Sequence, residues 1–220
     1  MKQENRLAYA ALSRWADLTL LSSFIISGIS ALIYQVCWQR GLYSVIGVDM
    51  DSVTIVVSAF MLGIGIGGMT GGWLADRFPG QRIRLFATAE LSIALYGLAT
   101  IWLLPWLDAQ LAASAWGGMA MRALLSFLFL VIPTTLMGMT LPLLTMAMNE
   151  KRANIGISVG VLYFANTLGA ALGAGLVPFV LFQHFSLTQT VMIAVAGNIV
   201  VAGSATWIAS RLSSYPVRNA

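Results

Sequence analysis

The stretch SAFMLGIGIGGMTGGWLADRFPGQRIR, residues 58–84, decides the fold, because a long apolar run in it ends abruptly in charged residues. No charged side chain occurs between Asp51 and Asp76, and three arginines follow Asp76 before residue 85. The hydrocarbon core of a bilayer is about 30 Å thick and takes roughly 20 apolar residues as a helix. The stretch therefore predicts a membrane-spanning helix that ends in a short basic loop.

The rest of the chain repeats this alternation of apolar runs and charged breaks. Of its 220 residues, 59% are hydrophobic and 9% are charged, whereas a soluble domain carries about a quarter charged residues. We therefore predict an all-α integral membrane protein with six transmembrane helices, at 18–38, 53–74, 85–106, 120–147, 157–181 and 189–209. The fourth segment is longer than a bilayer needs, so we expect tilt or a kink near Pro133.

Lysine and arginine lie mostly on one side of these predicted helices. With the N-terminus inside, ten of them fall in cytoplasmic segments, and only Arg40 and Arg122 fall outside. Positive residues favour the cytoplasmic side, so we expect a multi-pass protein of the cell (inner) membrane with both termini in the cytoplasm. Residues 1–17 then form a cytoplasmic N-terminal segment, 18–209 the six-helix domain and 210–220 a cytoplasmic tail.

The chain offers little material for catalysis or metal binding. It has one cysteine, Cys37, and one histidine, His184, which excludes an internal disulfide and a Cys/His metal cluster. We expect Cys37 to be a packed residue and His184 to lie in a solvated loop. Because no Ser/His/Asp set or phosphate-binding loop is visible either, we predict no enzyme activity, cofactor or metal here. Membrane orientation explains the net charge of +4, so no nucleic-acid partner is expected.

The letters GIGIGG at 63–68 formally match the G-x-G-x-x-G fingerprint of dinucleotide-binding proteins. That fingerprint follows a strand and opens a helix, whereas these glycines lie inside a predicted membrane span. Small residues four apart on one helix face instead let two membrane helices approach closely. We predict such helix-packing faces in the second and fifth spans, at Gly63, Gly67, Gly71, Gly169 and Gly173, with Gly68 and Gly72 as a further pair.

One carboxylate, Glu90, lies inside a predicted span near its cytoplasmic end. Ionisable side chains at membrane depth are costly and commonly mark a substrate or ion pathway, although Glu90 could instead reach interfacial water or a nearby arginine. Polar and aromatic side chains of other spans could line a cavity with it, or act only as contacts between helices. The predicted pathway comprises Glu90, Tyr34, Gln35, Trp38, Tyr163 and Asn166, with Asn198 as a polar residue of the sixth span.

The loop after the second span resembles that of the major facilitator superfamily, which reads roughly G-x-L-A-D-R-x-G-R-K at this place. Five residues match in position and two more match after an extra residue, Pro79; in order they are Gly72, Leu74, Ala75, Asp76, Arg77, Gly80 and Arg82. The resemblance implies half of a major-facilitator-type bundle, made of two inverted three-helix repeats. In full-length facilitators the aspartate of this motif lies near a helix start in the opposite half.

A closer resemblance covers all six spans, from about Ser27 to Ala202. It rests on SGISALIYQVCWQR, SAFMLGIGIGGMTGGWLADR, IPTTLMGMTLPLL and GVLYFANTLGAALGAGLVPFVL. In order and spacing these stretches resemble the membrane domain of the fused major facilitator/spermidine synthase-like proteins. Glu90 matches a glutamate common near the start of that family's third span, whereas Gln35 stands where the family usually has a glutamate. The aminopropyltransferase domain that typically follows is absent from this sequence, so its activity is not carried over.

Two functions follow as hypotheses. The first is a transporter for a small amine, polyamine or other small solute, in which a homodimer in the lipid bilayer supplies both halves of a facilitator. Asp76 should then approach residues 154–158 of the second copy, where helix N-terminal amides favour an anion. The second is a non-transporting anchor or substrate-supplying subunit for a separate soluble aminopropyltransferase-like enzyme, docked on residues 77–84 and 149–154. The chain could also be a piece of a longer protein.

Overall fold

The computed structural model describes residues 2–46, 50–113, 118–152 and 154–213, and all regular structure in these ranges is helical. Part of the predicted tail, residues 214–220, and Ala153 of the predicted docking loop lie outside the described residues. The α-helices are α1 Lys2–Ile46, α2 Met50–Arg77, α3 Arg82–Ala113, α4 Met119–Arg152, α5 Ile155–Leu176, α6 Phe182–His184 and α7 Leu187–Ser213.

Six helical stretches are long and apolar enough to cross a membrane, which confirms the predicted six-span bundle. They are Trp15–Ile46, Val53–Arg77, Pro79–Leu111, Met119–Asn149, Ile155–His184 and Leu187–Leu212. Each runs beyond the predicted segment at one or both ends. Hydropathy detects the apolar centre of a helix, whereas backbone hydrogen bonding continues the helix through the polar interfacial layers.

The breaks between helices are shorter than the sequence suggested. Residues 2–17, predicted as a separate segment, continue α1 without interruption. Between α2 and α3 lie only Phe78 and the 3₁₀ turn Pro79–Gln81. His184, predicted in a loop, is exposed but ends α6, and the connection to α7 is only two residues long.

A π turn, Val177–Leu181, joins α5 to α6, so that the fifth span is one continuous rod. It contains Pro178, which has no backbone N–H and crowds the carbonyl one turn earlier in a regular α-helix. The wider turn accommodates the proline, and the Phe182 backbone N–H donates across it to the Val177 carbonyl. The apolar rod can therefore reach the far side of the membrane without a break.

Large apolar side chains cover the outside of the bundle. Met69 is 79% exposed and Phe179 is 74% exposed, while polar side chains such as Ser126, Thr134 and Thr190 are fully buried. An apolar surface of this extent is typical of a protein solvated by lipid rather than by water. The bundle therefore has its polar groups inside and its hydrocarbon surface outside.

The helices pair in a symmetric pattern. The most extensive contacts are α2 with α4, α1 with α5, and α3 with α7, followed by α1 with α7 and α3 with α4. The same set of helix pairs is obtained when the first, second and third spans are exchanged with the fourth, fifth and sixth, respectively. Because the first and fourth spans cross the membrane in opposite directions, the pattern is that expected of two inverted three-helix repeats. Membership in a major-facilitator bundle stays a prediction.

Glycines set the two closest seams, α2 with α4 and α1 with α5. A Cβ at Gly67 would overlap the Thr135 carbonyl oxygen, and one at Gly169 would overlap the Ile25 carbonyl oxygen. The same seams hold the other predicted packing glycines, Gly63, Gly71 and Gly173. By contrast, Gly68 and Gly72 have open space where a Cβ would lie. The α2–α4 pair and the α1–α5 pair are thus both packed closely through glycines.

Candidate functional site

A buried carboxylate organises the centre of the bundle. Glu90 of α3 is 0% exposed. The Ser27 hydroxyl of α1 donates to its Oε1 at 2.6 Å, and the Asn198 amide nitrogen of α7 donates to its Oε2 at 2.6 Å. We call these three residues the polar layer. Both partners of the carboxylate are neutral, so its hydrogen bonds are charge-assisted but do not cancel its charge.

The polar layer separates two apolar clusters. Along α3, Phe86 belongs to one cluster and Ile93 to the other; along α7, Val201 and Val195 are divided in the same way. The layer therefore lies well inside the membrane-spanning part of the bundle. A buried charge in such surroundings is costly unless it is paired and hydrogen-bonded, which marks the layer as the first candidate for function.

Two glycines bring the three helices of the layer together. At Gly97 of α3 a Cβ would meet the Tyr34 hydroxyl oxygen at 2.6 Å, so α3 packs directly on α1. At Gly197 of α7 a Cβ would overlap the Ser30 hydroxyl oxygen. These close approaches place residues on α3 and α7 within hydrogen-bonding reach of α1, and Ser27, Glu90 and Asn198 occupy the resulting junction.

Two polar atoms around the layer have no partner. Among the described residues, none donates to the amide oxygen Oδ1 of Asn198 or pairs with the Tyr34 hydroxyl. Asn198 is 2% exposed and Tyr34 is 0% exposed. Buried polar atoms are nearly always hydrogen-bonded, so the unpaired Oδ1 of Asn198, whose amide nitrogen contacts the carboxylate, calls for an explanation.

A cavity of about 410 Å³ opens beside the layer, bounded mainly by α1, α2, α4 and α5. Ser27 and Asn198 of the layer both line it. Of the predicted pathway, Gln35, Tyr163 and Asn166 line it as well. Most of its remaining wall is apolar or aromatic, including Phe24, Phe60, Ile64, Ile93, Met137 and Leu141. A mostly apolar pocket with a few convergent polar groups is the usual form of a small-molecule site.

The other two predicted pathway residues lie in the core rather than on this wall. Tyr34 stacks on Trp38 with ring centroids 5.0 Å apart. The Trp38 indole N–H donates to Thr100 Oγ1 at 3.1 Å, and its ring packs among Phe60 and other aromatic side chains. Consecutive helical residues point about 100° apart, so Gln35 faces the cavity while Tyr34 faces α3. A role for Tyr34 and Trp38 in the pathway stays a prediction.

The basic loop is held by one of its arginines. Arg82 donates from Nε to the Ala75 carbonyl at 2.9 Å and from Nη1 to the Met146 carbonyl at 3.2 Å. It therefore ties α2 and α4 to the start of α3, and it satisfies the Ala75 carbonyl, one of those that the end of α2 leaves without a helical partner. Asp76, Arg77 and Gly80 are exposed. Within the motif, Arg82 therefore has a structural role, whereas these three residues form an exposed surface.

Sequence reasoning missed Ser27. Serine is common in membrane helices, where its hydroxyl can bond the backbone of its own helix, so its type alone carries no signal. Spacing becomes informative only once the packing of α1 on α3 is known: Ser27 and Tyr34 are seven residues apart on α1, as are Glu90 and Gly97 on α3. Residues seven apart share a helix face, so the contact of Tyr34 with Gly97 implies that Ser27 faces Glu90.

Comparison with known proteins gives one weak relationship. The chain is 24% identical over 195 residues, 89% of its length, to the polyamine aminopropyltransferase of Oceanobacillus iheyensis. It spans only 36% of that relative's length. No family model matches the chain. No solved structure matches it either. The similarity extends over most of the six spans and does not by itself assign the chain to a family.

Proposed function

We propose that this chain is a transporter-like half-bundle that works as a homodimer and moves a small amine, polyamine or other small solute. The observation that carries the proposal is the cavity of about 410 Å³ with the polar layer at its base. Its volume falls within the range of small-molecule sites, roughly 300–1,000 Å³. A buried, hydrogen-bonded carboxylate at membrane depth is a feature of substrate and ion pathways.

The open side of the cavity supports the homodimer. Tyr163 of α5 lines the cavity yet is 62% exposed in the single chain, and Gly68 of α2 lines it from the other flank. A polar group that faces hydrocarbon, such as the Tyr163 hydroxyl, is unfavourable. A second copy packed on α2 and α5 would cover this wall and enclose a pathway on the two-fold axis.

The charges at the cytoplasmic ends fit the same arrangement. Asp76 is exposed at the end of α2, and the start of α5 is exposed at Asn154 and Ile155. The Asn154 side chain accepts from the Ile157 backbone N–H at 3.2 Å and thereby caps α5. A carboxylate is favoured near such a helix start, so Asp76 of one copy would approach α5 of the other. The positive-inside distribution puts both ends in the cytoplasm.

Disulfide trapping in native membranes tests the dimer. In a Cys37→Ala background, one tagged copy carries Asp76→Cys and a differently tagged copy carries Ile155→Cys. We expect oxidant-induced cross-links between unlike tags. The control pair, Asp108→Cys with Ile155→Cys, joins opposite membrane faces and should give none. Equal cross-linking of the two pairs would contradict the two-fold arrangement, and solute uptake by proteoliposomes then tests transport itself.

The named relative favours a second candidate function. Because the chain matches part of a protein called a polyamine aminopropyltransferase, it could instead anchor, or supply substrate to, a separate soluble enzyme of that kind. The exposed loop of Arg77–Arg84 would offer a basic docking surface. Affinity purification from native membranes distinguishes the two: stoichiometric recovery of such an enzyme, with no solute flux by the purified chain, would favour the anchor over the transporter.

A further inference from the structure

The hydrogen-bond directions around Glu90 leave two acceptor oxygens uncommitted. Ser27 has one hydroxyl hydrogen, which goes to Oε1, so only the lone pairs of its oxygen remain for another partner. Asn198 has two amide hydrogens, one of which goes to Oε2, and its Oδ1 receives no hydrogen bond from the described residues. With Glu90 ionised, the reversed amide would place two oxygens together. The carboxylate therefore leaves one acceptor oxygen available on each neighbour.

The surroundings of these oxygens indicate the ligand that would suit them. Ser27 and Asn198 line the cavity, and the Glu90 carboxyl group lies one hydrogen bond behind them. The neighbouring wall is apolar at Phe24 and Ile93. A ligand that satisfies all of this carries a positive charge, several N–H donors at one end and a hydrocarbon body at the other.

We propose that the polar layer binds the primary ammonium group of an alkylamine, with Ser27 and Asn198 accepting its N–H groups and Glu90 supplying the counter-charge. A primary ammonium has three donors and no acceptor, so it can donate to the two available oxygens of Ser27 and Asn198. It also supplies the positive charge that the neutral partners of Glu90 do not provide.

A bare metal ion suits the layer less well. Calcium takes six to eight oxygen ligands and magnesium a near-ideal octahedron. The layer offers oxygens from only three side chains, two of which are already held by hydrogen bonds to the third. The described part of the chain contains no group of three or more metal-ligating side chains. An ion without a hydrocarbon body would also leave the apolar wall unused.

This inference deepens the proposed function, since it names the group of the solute that the cavity recognises. It is tested by binding, so its failure is separable from a failure of transport. The probe is ¹⁴C-labelled n-butylamine, titrated by scintillation proximity onto the full chain in lipid nanodiscs. Three unlabelled compounds serve as competitors. n-Butanol lacks the positive charge, butyltrimethylammonium lacks the N–H donors, and sodium chloride tests whether any cation suffices.

We expect saturable binding of n-butylammonium that n-butanol and sodium do not displace. Butyltrimethylammonium has the same charge but no N–H donor, so it should compete at least about tenfold more weakly than unlabelled n-butylamine. Equal competition by butyltrimethylammonium would overturn the assigned hydrogen bonds. Equal competition by sodium would reassign the layer to a metal cation. No saturable binding in the unmodified chain would overturn the proposal outright.

Two variants then test the residues. Glu90→Gln keeps the side-chain shape and removes the charge, and we expect it to weaken n-butylammonium binding at least about tenfold. Ser27→Ala removes one acceptor and should weaken binding less. The matched control is Ser126→Ala, which removes a buried, unpaired hydroxyl on α4 away from the cavity and should leave binding unchanged. Unaltered affinity in Glu90→Gln would contradict the counter-charge. If the chain bound n-butylammonium but transported no solute, the binding site would be supported and the proposed transport would be rejected.

Discussion

The α2–α4 seam gives a sharp test of the fold through two neighbouring glycines. Replacing Gly67 with Ala puts a Cβ against the Thr135 carbonyl oxygen and 2.7 Å from the Gly138 Cα. Carbon atoms pack best at about 3.5–4.0 Å, so the two backbones must separate by about 1 Å to admit it. Gly65→Ala is the matched control, because it adds the same methyl group two residues earlier on α2, where nothing lies within 4 Å.

The expected magnitudes follow from two opposing effects. Glycine to alanine within a helix is favourable by up to about 1 kcal/mol on propensity alone. Forcing extra volume into a packed seam costs about 1–3 kcal/mol. Gly65→Ala should therefore be neutral or slightly stabilising, whereas Gly67→Ala should lose about 1–2 kcal/mol.

The assay is reversible denaturation of each variant in mixed micelles, followed by helical circular dichroism, with unmodified chain alongside. The comparison between the two variants cancels the helix-propensity gain, which both share. If Gly67→Ala proved as stable as Gly65→Ala, the close approach of α2 to α4 would be refuted.

Two further predictions use the same assay. Gly169→Ala should destabilise the α1–α5 seam by roughly 1–3 kcal/mol, the usual cost of overpacking. Gly175→Ala should not, because a Cβ at Gly175 has open space around it. Equal loss of stability in the two variants would contradict the close packing of α1 on α5. Trp38→Phe removes the hydrogen bond to Thr100 and part of a fully buried ring, so it should cost about 1–3 kcal/mol. The lipid-facing Trp102, 67% exposed, should tolerate the same change, and the reverse order would contradict the described core.

The number and nature of the spans were predictable because a bilayer imposes its thickness on every one of them. The ends of the helices were not predictable, because contacts with other helices help to decide where a helix begins, as at Arg82. Arg82 begins α3 where it can donate to carbonyls of α2 and α4. The Met146 carbonyl is 64 residues further along the chain, so no local pattern around residue 82 predicts that contact.

The candidate site was predictable in part. Glu90 stood out as an acid at membrane depth and Asn198 as an amide within the sixth span, because polar side chains there are uncommon. Their meeting depended on the approach of α3 and α7 to α1, which is a property of the packed bundle. The division between Gln35 on the cavity and Tyr34 in the core likewise depends on which helices flank α1. The sequence alone indicates that Gln35 and Tyr34 lie on different faces of α1, but not which helices those faces contact.

In the proposed function, the cavity and its polar layer carry a small amine through the membrane. The most direct measurement is uptake of ¹⁴C-labelled 1,4-diaminobutane by proteoliposomes containing the unmodified chain, Glu90→Gln or Ser126→Ala, beside protein-free liposomes. We expect saturable uptake by the unmodified chain and by Ser126→Ala, with Glu90→Gln reduced to the protein-free level while still folded. Uptake by the unmodified chain no greater than by protein-free liposomes, or full uptake by Glu90→Gln, would contradict the account.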